Sequence, residues 1–161
     1  STTEAARGDA TVPARTYIEA GGALGVGSDS NTKLDPFGEL RQLEWSQRLA
    51  RSERNVLARG DVPVGQATYL RAETGGAQAL ARRTGTIAPG SFADLVVLDA
   101  DDPALAAQPP GELLDAAIFG PCRQPVRDVM VGGKWVVRDG RHPREDAVFA
   151  RYVRAVSQLF A

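Results

Sequence analysis

Apolar residues recur at three- and four-residue steps through much of the first half of the chain. They gather into short runs after residue 84 and return to helical spacing near the C-terminus. "STTEAARGDATVP" reads as a loop. Ala14, Tyr17 and Ile18 then predict a helix that closes at Gly21-Gly22. Residues 23–27 form a brief apolar run that reads as a buried strand, with Asp29 just beyond its end. Phe37, Leu40, Leu43, Trp45, Leu49 and Val56 predict a helix within residues 37–58, supported by the i,i+4 pair Glu44 and Arg48. Another helix follows over 62–82. Gly75-Gly76 in its middle costs about 1 kcal/mol per glycine relative to alanine, so the pair signals two short helices or a close backbone contact.

Beyond residue 84 the pattern changes to strands. A Pro89-Gly90 turn precedes Leu95-Val96-Val97-Leu98, and an Asp/Pro-rich turn follows. "VRDVMVGGKWVVRDGR" is a hairpin signature, with Val126, Val129 and Val131 before Gly132-Gly133 and Trp135, Val136 and Val137 after it. Val148, Tyr152, Val156 and Phe160 step by four residues and predict an amphipathic terminal helix. The expected order is α, β, α, α, then mostly β with four or five strands in a separate sheet, then α. A lone strand at 23–27 does not close on itself, because a buried parallel strand needs neighbours covered on both faces. The chain opens at Ser1 without a methionine, which suits either the start of a natural domain or a piece cut from a longer one.

Composition narrows the function classes. The chain of 161 residues, 43 % of them hydrophobic, can bury a sizeable core. Nineteen basic against twenty acidic residues leave a net charge of −1, without the basic excess of a nucleic-acid-binding surface. A single cysteine, Cys122, excludes an internal disulfide and fits a reducing compartment. No apolar run is long enough to span a membrane, and the polar start is not a signal peptide. The expectation is a cytoplasmic protein.

Asp29 is the leading chemical candidate. A carboxylate at the C-terminal end of a parallel strand sits where α/β barrels place catalytic groups, and Asp also commonly turns or caps the chain after a strand. His142, the only histidine, precedes Pro143 and reads as an exposed turn residue. One histidine cannot supply the three ligands of a catalytic zinc site. Cys122 has no neighbouring histidine and reads as a partly buried filler. The Gly-rich stretches lack the Lys-Ser/Thr of a phosphate-binding loop. Arg48, Arg51, Arg54 and Arg59 read as a solvated helix face, with anion or partner contact as the other reading. Glu4 and Asp9, in "TTEAARGD", are ordinary loop carboxylates or groups that support a metal ligand from behind.

"GSDS" followed by "ELRQLEWSQRLARSERN", "TGGAQALAR", "IAPGSFADLVVLD" and "VRDVMVGGKWVVRDGRH" resembles the C-terminal part of the amidohydrolase superfamily. The sandwich motifs "ADLVVLD" and "VMVGGKWVV" are shared across it. "ELRQLEWSQRLARSERN" and "TTEAARGD" are narrower and resemble formimidoylglutamate deiminases. The likeness runs from Thr2 to the final helix. It implies an α/β fold: the C-terminal part of a (β/α)8 TIM-like barrel with the C-terminal share of a small β-sandwich. On that pattern residues 1–83 run from the loop after strand seven to the closing helices, 84–143 belong to the sandwich, and 144–161 form the terminal helix.

The resemblance further implies that Asp29 is the strand-eight aspartate, a metal ligand that also handles a proton, with Zn2+ as the expected metal. The reaction implied is hydrolysis of N-formimino-L-glutamate to N-formyl-L-glutamate and ammonia, in histidine degradation. The histidines of strands one, five and six have no counterpart here. The chain is therefore expected to be inactive alone and to require the missing N-terminal portion of the same barrel. A homodimer is implied for the full-length protein. Two other readings stay open: an amidohydrolase deaminase acting on an aromatic base, and a non-catalytic interaction module in which Asp29 is only a cap.

Overall fold

The computed structural model describes residues 2–160, a mixed helix and strand structure. α1 spans Thr2–Arg7, where a loop was expected. Six residues do not sustain a helix alone. α1 is fixed at its start by the buried Glu39 side chain, which accepts hydrogen bonds from the Thr2 amide (3.0 Å) and the Thr2 hydroxyl. That partner lies 37 residues away, beyond the reach of local pattern.

α2, Ala14–Glu19, ends as predicted at the glycine pair. Gly21 takes φ +85°, the Gly22 amide donates to the Tyr17 carbonyl and the Gly21 amide to the Ile18 carbonyl, which is a Schellman closure. α3 spans Pro36–Arg51, with Asp35 capping the Gly38 amide at 2.8 Å and Pro36 in the first turn. It stops at Ser52, in the left-handed conformation, short of the apolar pattern's end at residue 58. Val56 and Leu57 are buried from a loop instead, because Glu44 binds both of their amides.

α4, Val64–Ala79, is one continuous helix across Gly75-Gly76. The close-contact reading holds: a Cβ at Gly75 would collide with the Leu24 backbone carbonyl. α5, Leu113–Phe119, follows a short 3₁₀ turn and was not foreseen. It packs on α3 and α4, burying Ala117 and Ile118 completely or nearly so. Its Asp115 accepts from the Gly65 and Gln66 amides at 3.0 and 3.1 Å, capping α4, whose own N-cap is Pro63.

β1 (Leu95–Leu98), β2 (Val126–Val131) and β3 (Lys134–Val137) form an antiparallel sheet in that order. Val129 lies opposite Val96 on one side and Val137 on the other. Gly132 and Gly133, with φ +56° and +79°, make the tight β2–β3 turn read from the sequence. Three strands stand among the described residues, where four or five were expected. The segment 23–27 is not among them. It is extended, with Leu24 buried, Val26 half-buried and Gly25 and Gly27 exposed, but no described strand pairs with it. A strand is defined by its ladder, and no partner for one is supplied by these residues.

Two apolar clusters form the core. Ala14, Leu24, Leu43, Val56, Leu57 and Val64 build one; Phe37, Leu40, Leu105, Ala117 and Ile118 build the other. Val26 and Phe119 pack against both. α6, Glu145–Leu159, is the predicted terminal helix, yet it buries no residue: Val148, Phe149 and Tyr152 are 54–65 % exposed.

Candidate functional site

Asp29 occupies a turn built by its neighbours. The Asn31 amide donates to the Ser28 carbonyl at 2.9 Å, and Asp29 takes φ +49°, the left-handed region that Asp enters more readily than most residues. The Thr3 hydroxyl donates to the same Ser28 carbonyl at 2.6 Å. The Asp29 side chain is exposed and makes no hydrogen bond or ion pair with another described residue. Its backbone turns the chain, while its carboxylate caps nothing.

The structure does not gather the other candidates around it. Asp9 is exposed and ion-paired with Arg7 at 3.1 Å. Glu4, on α1 and not in a loop, lines with Asp9, Tyr17, Leu24, Gln42 and Ser46 a cavity of about 540 Å3 beside the extended segment. Among the described residues no three His, Cys, Asp or Glu side chains converge as a metal site. His142 is exposed, its Nδ1 accepting from the Arg144 amide at 3.1 Å before α6. Cys122 is half-buried, and burial together with Asp102 pushes its thiol up to about 11, so it is protonated and weakly nucleophilic at neutral pH.

Arg48 departs from the solvated-face reading. It donates to Glu44 at 2.7 Å and lies over the Phe119 ring. Thr3, Glu39 and Asp115 escaped the sequence reading. For Glu39 a signal existed: it shares a helical face with Leu40 and Leu43, where a charged side chain must be paired.

An exposed, uncommitted carboxylate fits a divalent cation as one ligand, since hard oxygen donors suit such ions. Asp29 meets that requirement, and by itself it provides one ligand of the four that zinc ordinarily takes.

The turn and its carboxylate, carried beside a helical layer and a small antiparallel sheet, belong to a fold whose family comparison with known proteins identifies. The chain belongs to the amidohydrolase family, whose model matches residues 2–136. It is 46 % identical over 158 residues to formimidoylglutamate deiminase of Pseudomonas aeruginosa, covering 98 % of this chain and 35 % of that protein. It is 33 % identical over 144 residues to 5-methylthioadenosine/S-adenosylhomocysteine deaminase of Thermotoga maritima, covering 87 % and 32 %. Among solved structures, an amidohydrolase from Brucella melitensis superposes with a TM-score of 0.89 at 39 % identity, over 99 % of this chain and 35 % of that one. A zinc-bound adenosine deaminase from Xanthomonas campestris superposes with a TM-score of 0.73 at 28 % identity, over 91 % and 33 %. The chain thus spans about a third of the length of the relatives it matches.

Proposed function

We propose that this chain is the C-terminal part of a metal-dependent deiminase that hydrolyses N-formimino-L-glutamate to N-formyl-L-glutamate and ammonia. The observation that carries the reading is the 46 % identity to a formimidoylglutamate deiminase across nearly the whole chain. In this reading residues 1–83 are the end of a (β/α)8 barrel, 84–143 a share of a β-sandwich and 144–161 a terminal helix. The extended segment 23–27 is then the last barrel strand, whose partners lie in an N-terminal portion. That portion supplies the remaining ligands and the groups that hold the substrate.

Asp29 would hold the metal, with zinc favoured by the zinc-bound relative. When bound, a divalent cation lowers the pKa of water toward neutrality, which hydrolysis at pH 7 requires. Asp29 has a second task. With no hydrogen bond to satisfy within the described residues, its Oδ atoms are free to accept a proton from the attacking water. The same carboxylate then passes that proton to the imino nitrogen. As the C–OH of the adduct becomes the formyl carbonyl and the C–N bond breaks, it relays the second water proton to that nitrogen as well, which leaves as ammonia.

Ammonia release by the full-length protein tests this. N-formimino-L-glutamate should be turned over, and Asp29→Asn should lower kcat by about 10²–10⁴-fold, the range for loss of a positioned acid–base group. The 33 % identity to a purine-nucleoside deaminase makes S-adenosylhomocysteine the competing substrate. Turnover of that compound with none of formiminoglutamate would replace the proposed substrate by an aromatic base.

A further inference from the structure

The Asp29 carboxylate makes no bond of its own within the described residues, so only its backbone aims it. That backbone is held from outside the turn. The Ser28 carbonyl accepts two hydrogen bonds, one from the Asn31 amide at 2.9 Å inside the turn and one from the Thr3 hydroxyl at 2.6 Å across 25 residues. Together they fix the plane of the Ser28–Asp29 peptide, about whose end the Asp29 φ of +49° is set. Thr3 is only 5 % exposed, and its neighbour Thr2 is tied by amide and hydroxyl to Glu39, itself 1 % exposed in α3. A continuous line of contacts therefore runs from the core helix through α1 to the turn.

We propose that Thr3 is a positioning residue for Asp29, its hydroxyl holding the Ser28 carbonyl so that the carboxylate points where a metal is bound. The proposal rests on Asp29 being a metal ligand, as argued above. A short donor on the neighbouring carbonyl constrains the peptide plane and leaves the carboxylate uncommitted, which a direct bond to Asp29 would not do. Partners of this kind, one step behind a ligand, typically change metal affinity by 10–100-fold when removed.

The test uses the full-length protein and zinc affinity measured by chelator competition, with melting temperature recorded alongside. Thr3→Val keeps the buried shape and removes the donor; about a 10-fold loss of zinc affinity is expected. Thr3→Ser keeps the hydroxyl and should bind zinc as the parent does, whatever its melting temperature. A Thr3→Ser protein with weakened zinc binding overturns the proposal, even if Thr3→Val does not fold. So does a Thr3→Val protein that melts earlier but binds zinc unchanged, because Thr3 would then be structural only. Asp29→Asn, measured in parallel, separates the two ideas. Unchanged zinc affinity there removes the ligand reading itself, whereas a loss there without one in Thr3→Val removes only the role of Thr3.

Discussion

A carboxylate on the inner face of an amphipathic helix is costly unless its lone pairs are used. Glu44, with no exposed surface, uses them on Arg48 at 2.7 Å and on the Val56 and Leu57 amides, both at 2.9 Å. One side chain thereby ends α3 early and folds the following loop into the core. Glu44→Ala would strand two buried amides and a guanidinium, and should lower stability by about 3–5 kcal/mol in urea unfolding. Half of this arrangement was legible: the spacing of Glu44 and Arg48 announced their pair. The amide partners lie 12 and 13 residues on, in a loop, where no periodicity reports them. Asp29 was legible in the same partial way. The abrupt end of an apolar run marked its place, but the Thr3 hydroxyl that bonds the preceding Ser28 carbonyl lies 25 residues away, where no local pattern reports it.

At the scale of elements, the adjacent glycines of α4 behave oppositely. A Cβ on Gly75 meets the Leu24 carbonyl and carbon, while one on Gly76 meets nothing within 4 Å. Gly76→Ala should stabilise the protein by about 0.5–1 kcal/mol through helix propensity. Gly75→Ala should destabilise it by about 1–3 kcal/mol as the helix and the extended segment are forced apart. Thermal unfolding of the two variants gives the contrast directly. The helices with strong apolar periodicity, α2, α3, α4 and α6, were readable, and so was the β2–β3 hairpin with its glycine turn. α1 and α5 were not. Each has seven residues or fewer and is held by tertiary contact, α1 through Glu39 and α5 through its packing on α3 and α4. The segment 23–27 reads from its pattern as a buried strand, yet no described strand pairs with it, because a ladder depends on strands that no single segment can announce.

The molecule as a whole joins a helical layer to a three-stranded sheet, and Asp128 secures the far side of that sheet. It accepts from the Asp139 amide at 2.9 Å and from Arg127 at 2.9 Å. The Asp139 amide first, and then Arg127, hold its carboxyl below the usual carboxylate range. A group lowered in this way stabilises the fold above its unfolded pKa of about 4 and loses that contribution as pH falls through its folded value. Asp128→Asn should therefore flatten the acid side of the stability profile, seen as urea midpoints that change less between about pH 5 and pH 3. α6 adds little to that stability, since none of its side chains is buried among the described residues. The contact between Leu24 and Gly75 works differently from all of these. It is main chain against main chain, so it contains nothing that substitution can enlarge, shrink or recharge. Cavity-lining positions such as Tyr17 or Gln42 can be exchanged to reshape the space beside the extended segment. The spacing between that segment and α4 stays constant through such changes for as long as position 75 remains bare, which makes it a fixed ruler for redesign of the site.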